Sequence, residues 1–235
     1  MFYHLLYPLH AIFPGFNVFR YLTFRSAYAI LTGLLICLIL GPWLIRQLRR
    51  HQIGETIRED GPKSHQQKAG TPTMGGLLIL WSLTVPTVLW ADLTNRYIWL
   101  LLSATFAFGA IGFLDDWLKL ARLRRHGMAI GEKLLAQTTV ALGVALFLYL
   151  YPEDPSVATQ VTFPFFKEVM PDLGLWYVPF VMFIIVGTCN AVNLTDGLDG
   201  LATGPLIIAT FAFTVIAYVA GHAQFAQYLL IPYIK

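Results

Sequence analysis

The chain has 235 residues, of which 57% are hydrophobic and only 12% charged, with a formal net charge of +3. Soluble domains carry about 25% charged residues, and a mean hydropathy of +0.62 points the same way, so a membrane chain is expected rather than a water-soluble globule. The mild positive balance gives no ground for nucleic-acid binding, and Cys37 and Cys189 stand inside apolar runs as small hydrophobes, not as a disulfide framework.

Taken in chain order, the opening residues MFYHLLYPLHAIFPGF lack a basic start and a small-residue cleavage site. They read poorly as a signal peptide, and their prolines and aromatics suit a segment lying at the outer interface. Six stretches free of Asp, Glu, Lys and Arg follow: Ser26–Ile45, Ala69–Ala91, Tyr97–Leu114, Leu134–Pro152, Leu173–Thr195 and Gly200–Gly221. A crossing needs roughly 20 apolar residues. The second stretch is expected to turn helical from about Thr73, because Pro72 favours a helix start over an interior. Backbone polar groups in lipid need partners within their own segment, so all six are predicted as helices, and the missing strand alternation argues against a barrel. The fold class is all-α, a single polytopic transmembrane bundle over 1–235 with six spans.

Positive charge sets the expected orientation. Arg46, Arg49, Arg50, Arg58, Lys63 and Lys68 fall between the first two spans, and Lys119, Arg122, Arg124, Arg125 and Lys133 between the third and fourth. Segments 46–72, 119–133 and 193–199 are then cytoplasmic, 153–172 is a periplasmic hairpin, and both ends of the chain are periplasmic. The polar clusters near Thr71, Asp115, Lys133 and Asn193 all lie at cytoplasmic span ends, although they took no part in choosing the orientation.

Asp115 and Asp116, in GFLDDWLK, end an apolar run with two adjacent carboxylates. They could simply stop the span at the interface. Alternatively, neighbouring carboxylates repel and are best tolerated beside a cation or lysines, and their hard oxygens suit Mg²⁺ bound together with substrate phosphates. Neighbours on a helix point about 100° apart, so one carboxylate can face a metal while the other faces a lysine. Lys119, at i+4 from Asp115, is a natural partner, and Lys133 opens the next span within reach of a diphosphate. Attraction to anionic lipid is the ordinary reading of Arg122, Arg124 and Arg125.

The segment NAVNLTDGLDG, Asn190–Gly200, places Asp196 and Asp199 in a D-x-x-D spacing expected at a helix start. There they either cap the helix or, with Asn193 and the backbone freedom of Gly197 and Gly200, meet a base, sugar or metal-bound water. SHQQKAGTPTMGG, Ser64–Gly76, reads as a polar loop before a helix capped by Thr71 or Thr73. Alternatively, Lys68 and the first amides hold phosphate oxygens, and Gly75 and Gly76 allow close helix packing. The histidines show no metal-ligand spacing. Carboxylates, lysines and glycine-rich helix ends on one membrane side together fit Mg²⁺-assisted phosphoryl transfer to a lipid.

The segments DGPKSHQQKAGTPTMGG, GFLDDWLK, PFFKEVMPDLG and GTCNAVNLTDGLDGLA resemble the polyprenyl-phosphate N-acetylhexosamine-1-phosphate transferase superfamily. SHQQKAGTPTMGG and PFFKEVMP favour its phospho-N-acetylmuramoyl-pentapeptide transferase branch. The resemblance runs from about Gly15 to the end. It implies transfer of phospho-MurNAc-pentapeptide from UDP-MurNAc-pentapeptide to undecaprenyl phosphate, giving lipid I and UMP, with Mg²⁺, in the bacterial inner membrane, and it allows a homodimer. Asp115 and Asp116 match the family's catalytic aspartate pair, placed on the lipid phosphate and near the metal; Asp115 either deprotonates that phosphate or only positions it. Lys68, Thr73, Asn193, Asp196, Gly197, Leu198 and Asp199 match residues around the nucleotide–sugar. Lys119 and Lys133 match lysines near the diphosphate, and TFPFFKEVMP matches an outer hairpin.

The family has ten spans and a third aspartate ligand to the metal, whereas no Asp follows Asp199 here. The expectation is that this chain is the N-terminal part of a longer enzyme and would not catalyse alone. Three other readings stand beside this one: a transferase of N-acetylglucosamine-1-phosphate, a cation transporter, and a non-catalytic membrane scaffold. A transporter predicts ionisable residues at mid-membrane, where these spans are clean.

Overall fold

A computed structural model describes residues 1–50, 74–121, 127–163, 169–196, 200–229, 231 and 233. Within it the chain is helical: α1 (Phe2–Leu6), α2 (Leu22–Arg50), α3 (Gly76–Trp90), α4 (Arg96–Leu120), α5 (Ile130–Leu150), α6 (Tyr177–Thr195), α7 (Thr203–Ala220) and α8 (Ala223–Leu229), with 3₁₀ turns at Tyr7–Ala11, Pro14–Arg20 and Gly174–Trp176. Five of these helices are long and apolar enough to cross a membrane: α2, α4, α5, α6 with its preceding turn, and α7. The expected second span appears as α3, an apolar helix of 15 residues and about 22 Å at 1.5 Å per residue. It starts at Gly76 rather than near Thr73, and Thr73 lies outside the described residues.

The helices outrun the charge-free windows that locate them. α4 continues through Asp115, Asp116 and Lys119 to Leu120, because backbone hydrogen bonding does not stop where hydrocarbon does. Its start is fixed by Asn95, whose Oδ1 accepts from the Tyr97 amide at 2.8 Å, an N-cap.

The described residues form two compact units, 1–140 and 141–235. In the first, α2 packs on α3 most extensively. The fit depends on Gly33, where a Cβ would lie 3.0 Å from the Ser82 carbonyl oxygen. α3 and α4 border an apolar cavity of about 350 Å³ lined by Leu77, Leu80, Trp81, Phe106, Gly109 and Phe113, among others. The opening residues fold back onto the Trp90 end of α3. Phe2 meets Trp90 edge-on at 5.0 Å and Phe19 stacks on it at 6.1 Å, Tyr28 lies 5.2 Å away, and the indole N–H donates to Thr32 Oγ1 at 3.0 Å. Aromatic rings with one wet edge are the residues expected at a membrane boundary.

Beside this cluster His4 Nε2 lies 3.0 Å from Asp92 Oδ1, and Asp92 also accepts from the Thr94 amide and hydroxyl at 3.0 and 2.7 Å. Burial pushes the Asp92 carboxyl up, but the Thr94 hydrogen bonds and the charges of His4 and Arg25 outweigh it and hold the group below the usual carboxylate value of 3.8. A depressed carboxylate stabilises the fold above its unfolded value, and the contribution is lost as pH falls through the folded one. A nitroxide at Leu5→Cys, with Cys37 and Cys189 replaced by alanine, should therefore stay immobile at pH 5 and gain mobility below about pH 4. Asp92→Asn should be mobile already at pH 5; equal mobility of the two proteins at pH 5 would refute the anchoring role.

In the second unit the segment between α5 and α6 forms an antiparallel pairing. Gln160 bridges Asp172, the Val161 amide donates to the Pro171 carbonyl at 3.1 Å, and the Leu173 amide donates to that of Thr159 at 3.0 Å. The Thr159 hydroxyl and the Gly174 amide both donate to Asp172 Oδ1, which lowers that carboxyl's pKa. Residues 164–168 lie outside the described residues. On α7, Ile208, Phe211 and Phe213 are 72%, 71% and 71% exposed. Apolar side chains exposed on opposite sides of one helix belong against lipid or protein, not water.

Candidate functional site

The cluster expected at the end of the third span is assembled in the first unit. Asp115 and Asp116 sit on the last turns of α4, and the helical repeat brings Lys119 back beside both: its Nζ is 2.9 Å from Asp115 Oδ2 and 3.6 Å from Asp116 Oδ1. Lys133, on the first turn of α5, approaches Asp115 Oδ2 at 3.9 Å. The two carboxylates differ in surroundings. The Asp115 side chain is 14% exposed and has both oxygens engaged, since the Met128 amide donates to Oδ1 at 2.8 Å. The Asp116 side chain is 37% exposed, and among the described residues its ion pair is the looser approach to Lys119.

The start of α5 is set locally. Glu132 reaches back to accept from the Ala129 amide at 3.2 Å, as the third residue of a capping box does, and this fixes the turn that carries Met128. Gly127 is buried, has φ +73° and lies directly against Asp115. Sequence reasoning found Asp115, Asp116, Lys119 and Lys133 but missed Gly127 and the Met128 amide. The only signal was a glycine closing the basic run three residues before the next helix.

Other expected residues fall elsewhere. Asn193 lies on the last turn of α6 in the second unit. Asp196 is not at a helix start, as the D-x-x-D spacing suggested. It caps the C-terminus of α6, its amide donating to the Val192 carbonyl at 3.2 Å, and α7 begins only at Thr203. Gly200 lies between the two helices with φ +81°. Lys68, Thr73, Gly197, Leu198 and Asp199 lie outside the described residues, as do Arg122, Arg124 and Arg125. α3 is capped by Gly75 with no side-chain hydrogen bond, so neither threonine of the expected cap is its N-cap. A Cβ at Gly75 or Gly76 would meet no described atom within 4 Å.

Two carboxylates and two ammonium groups within one ion-pair network can orient a phosphate and a divalent cation together. Of the two carboxylates, Asp116 is the more exposed, at 37% against 14% for Asp115, and so could more readily meet a cation. No described group of three or more His, Cys, Asp or Glu side chains forms a protein-only metal cage.

A membrane-spanning helical chain with a mixed acid–base cluster at a span end is the class these observations define. It belongs to glycosyl transferase family 4, whose family model matches residues 98–234. Residues 68–80 match signature 1 of the phospho-N-acetylmuramoyl-pentapeptide-transferases. Curated relatives of that name are 56% identical in Desulfosudis oleivorans and 52% in Desulforapulum autotrophicum, each over 234 residues and 100% of this chain. The relative from Pelobacter propionicus is 51% identical over 232 residues. The chain spans 64% of the length of these relatives.

Proposed function

We propose that the full-length enzyme transfers phospho-MurNAc-pentapeptide from UDP-MurNAc-pentapeptide to undecaprenyl phosphate, giving lipid I and UMP, at the cytoplasmic face of the bacterial inner membrane. The observation that carries this reading is the Asp115–Asp116–Lys119–Lys133 network at the end of a spanning helix, in a chain about half identical to curated transferases of that name. The concentration of basic residues in 46–68 and 119–133 supports the cytoplasmic orientation.

In the reaction a phosphate oxygen of the lipid forms a bond to the sugar-bearing phosphorus, and the bond from that phosphorus to the bridging oxygen breaks, releasing UMP. Both reacting partners are anionic, so the chief requirement is charge neutralisation and alignment. Lys119 and Lys133 hold diphosphate oxygens. Asp115, pinned by its neighbours, keeps the lysines in place, and Asp116 faces the lipid phosphate and the cation. Bound Mg²⁺ supplies further neutralisation of charge on the transferred and leaving phosphates. For Lys68, Thr73, Asn193, Asp196, Gly197, Leu198 and Asp199 at the nucleotide–sugar, the support is the sequence motifs.

The deciding experiment supplies the full-length protein in nanodiscs with undecaprenyl phosphate, Mg²⁺ and one UDP-sugar at a time. UMP and a lipid-linked product are expected from UDP-MurNAc-pentapeptide and none from UDP-GlcNAc, with activity abolished by EDTA and restored by Mg²⁺. Product from UDP-GlcNAc alone would instead assign the N-acetylglucosamine-1-phosphate reaction.

A further inference from the structure

We infer that Gly127 and the Met128 amide form a positioning element for Asp115, a role resting on the function just proposed only in its kinetic consequence. Asp115 reaches this turn across 12 residues of sequence, and two independent features make the contact specific. The backbone at Gly127 is left-handed, with φ +73°, a conformation side chains other than glycine adopt at a cost. There is also no room for a side chain: a Cβ would lie 2.3 Å from Asp115 Oδ1, 2.7 Å from Lys119 Cε and 3.0 Å from the Asp115 carbonyl oxygen. The absent side chain lets the turn close until the Met128 amide reaches Oδ1 at 2.8 Å.

The consequence is rotational. The terminal torsion of an aspartate is broad and sets no preferred direction for its oxygens. Tying Oδ1 to a backbone N–H turns Oδ2 toward Lys119 and Lys133, at 2.9 and 3.9 Å. The turn thus fixes the direction in which Asp115 presents its charge, and through it where the two ammonium groups stand. The Cβ of any other residue would push against both Asp115 and the Lys119 stem. Gly127 and Met128 are positioning residues, since they act through Asp115.

The test compares Gly127→Ala, Gly127→Asn and Gly131→Ala in the full-length protein in nanodiscs. Carboxylates are labelled with a water-soluble carbodiimide and an amine, and labelling is quantified by mass spectrometry at each aspartate. In the unsubstituted protein Asp115 should label more slowly than Asp116, in line with its exposure and bonding. Gly127→Ala should accelerate labelling at Asp115 severalfold and leave Asp116 unchanged. It should lower kcat by about tenfold, with KM for the nucleotide–sugar nearly constant, as small misplacements of reacting groups do. Asparagine tolerates the left-handed backbone but brings a Cβ, so it should behave like alanine; an asparagine variant matching the unsubstituted protein would overturn the close-approach argument. Gly131→Ala, whose Cβ meets nothing within 4 Å, should change neither readout. Slow Asp115 labelling with normal kcat in Gly127→Ala would overturn the inference, as would a loss of thermal stability without either change. If the unsubstituted protein transfers nothing, the functional proposal fails, and the labelling still decides the positioning role.

Discussion

Asp116→Asn in the full-length enzyme is expected to lower kcat by about three orders of magnitude, roughly 4 kcal/mol of barrier, while the protein keeps its thermal stability. The two halves of this expectation have separate causes. Asparagine keeps the shape of the side chain and removes its charge. Asp116 is more than a third exposed and stands 3.6 Å from Lys119, and pairs of that kind contribute under about 1 kcal/mol to folding. Its charge therefore matters little for the fold and a great deal to a cation and a phosphate arriving beside it. Asp115→Asn should behave differently. It would loosen the short pair with Lys119 and disturb the Met128 contact, so stability and turnover should fall together. Kinetics and thermal unfolding of the two variants side by side make the comparison. Asp116→Asn turnover within a few-fold of the unsubstituted enzyme would remove Asp116 from the proposed chemistry.

The largest expected effect on stability is at the Trp90 end of α3. Trp90→Ala should destabilise the first unit by about 2–3 kcal/mol, just below the usual range for deleting a buried aromatic because Trp90 is only partly buried. The indole is the common partner of Phe2, Phe19, Phe24 and Tyr28 and donates to Thr32. Removing it takes the centre out of a cluster that joins the opening segment, α2 and α3. Trp90→Phe keeps most ring contacts and loses the N–H, so it should cost only about 1 kcal/mol. Limited proteolysis should cut the first 20 residues faster in the alanine variant than in the phenylalanine one. Equal rates and equal melting temperatures would show that the ring does not organise this end.

How much of this was legible in the sequence depended on the range of each interaction. The helices were, since a stretch such as Tyr97–Leu114 carries no charge and can satisfy its backbone in lipid only as a helix. The Asp115–Lys119 pair was legible too, because i,i+4 spacing on a helix fixes proximity without knowledge of the fold. The Met128 contact was not. Glycine closing a basic run looks like any loop glycine until the turn is seen against Asp115. The Asp196 expectation failed for a related reason: D-x-x-D with glycines fits the end of one helix as well as the start of another, and only backbone geometry separates the two. The opening aromatics were legible as a cluster-forming segment, but nothing local named Trp90 as their partner.

One feature of the first unit bears on how lipid and water share the work. Leu77, on the first turn of α3, lines the same cavity as Phe113 of α4, yet α4 continues to Leu120. That is about 10 Å of helix at 1.5 Å per residue beyond the depth at which its neighbour begins. In the membrane orientation proposed above, the overhang would lift Asp116 and Lys119 toward the headgroup plane. A phosphate on a long hydrocarbon tail could meet them while its chain stays dissolved in the leaflet, sparing an extraction cost of about 0.8 kcal/mol for every methylene withdrawn. For the proposed transfer, encounter would then be a matter of lateral diffusion in two dimensions for one reactant and three for the other, with the lipid's surface density as its rate-determining concentration.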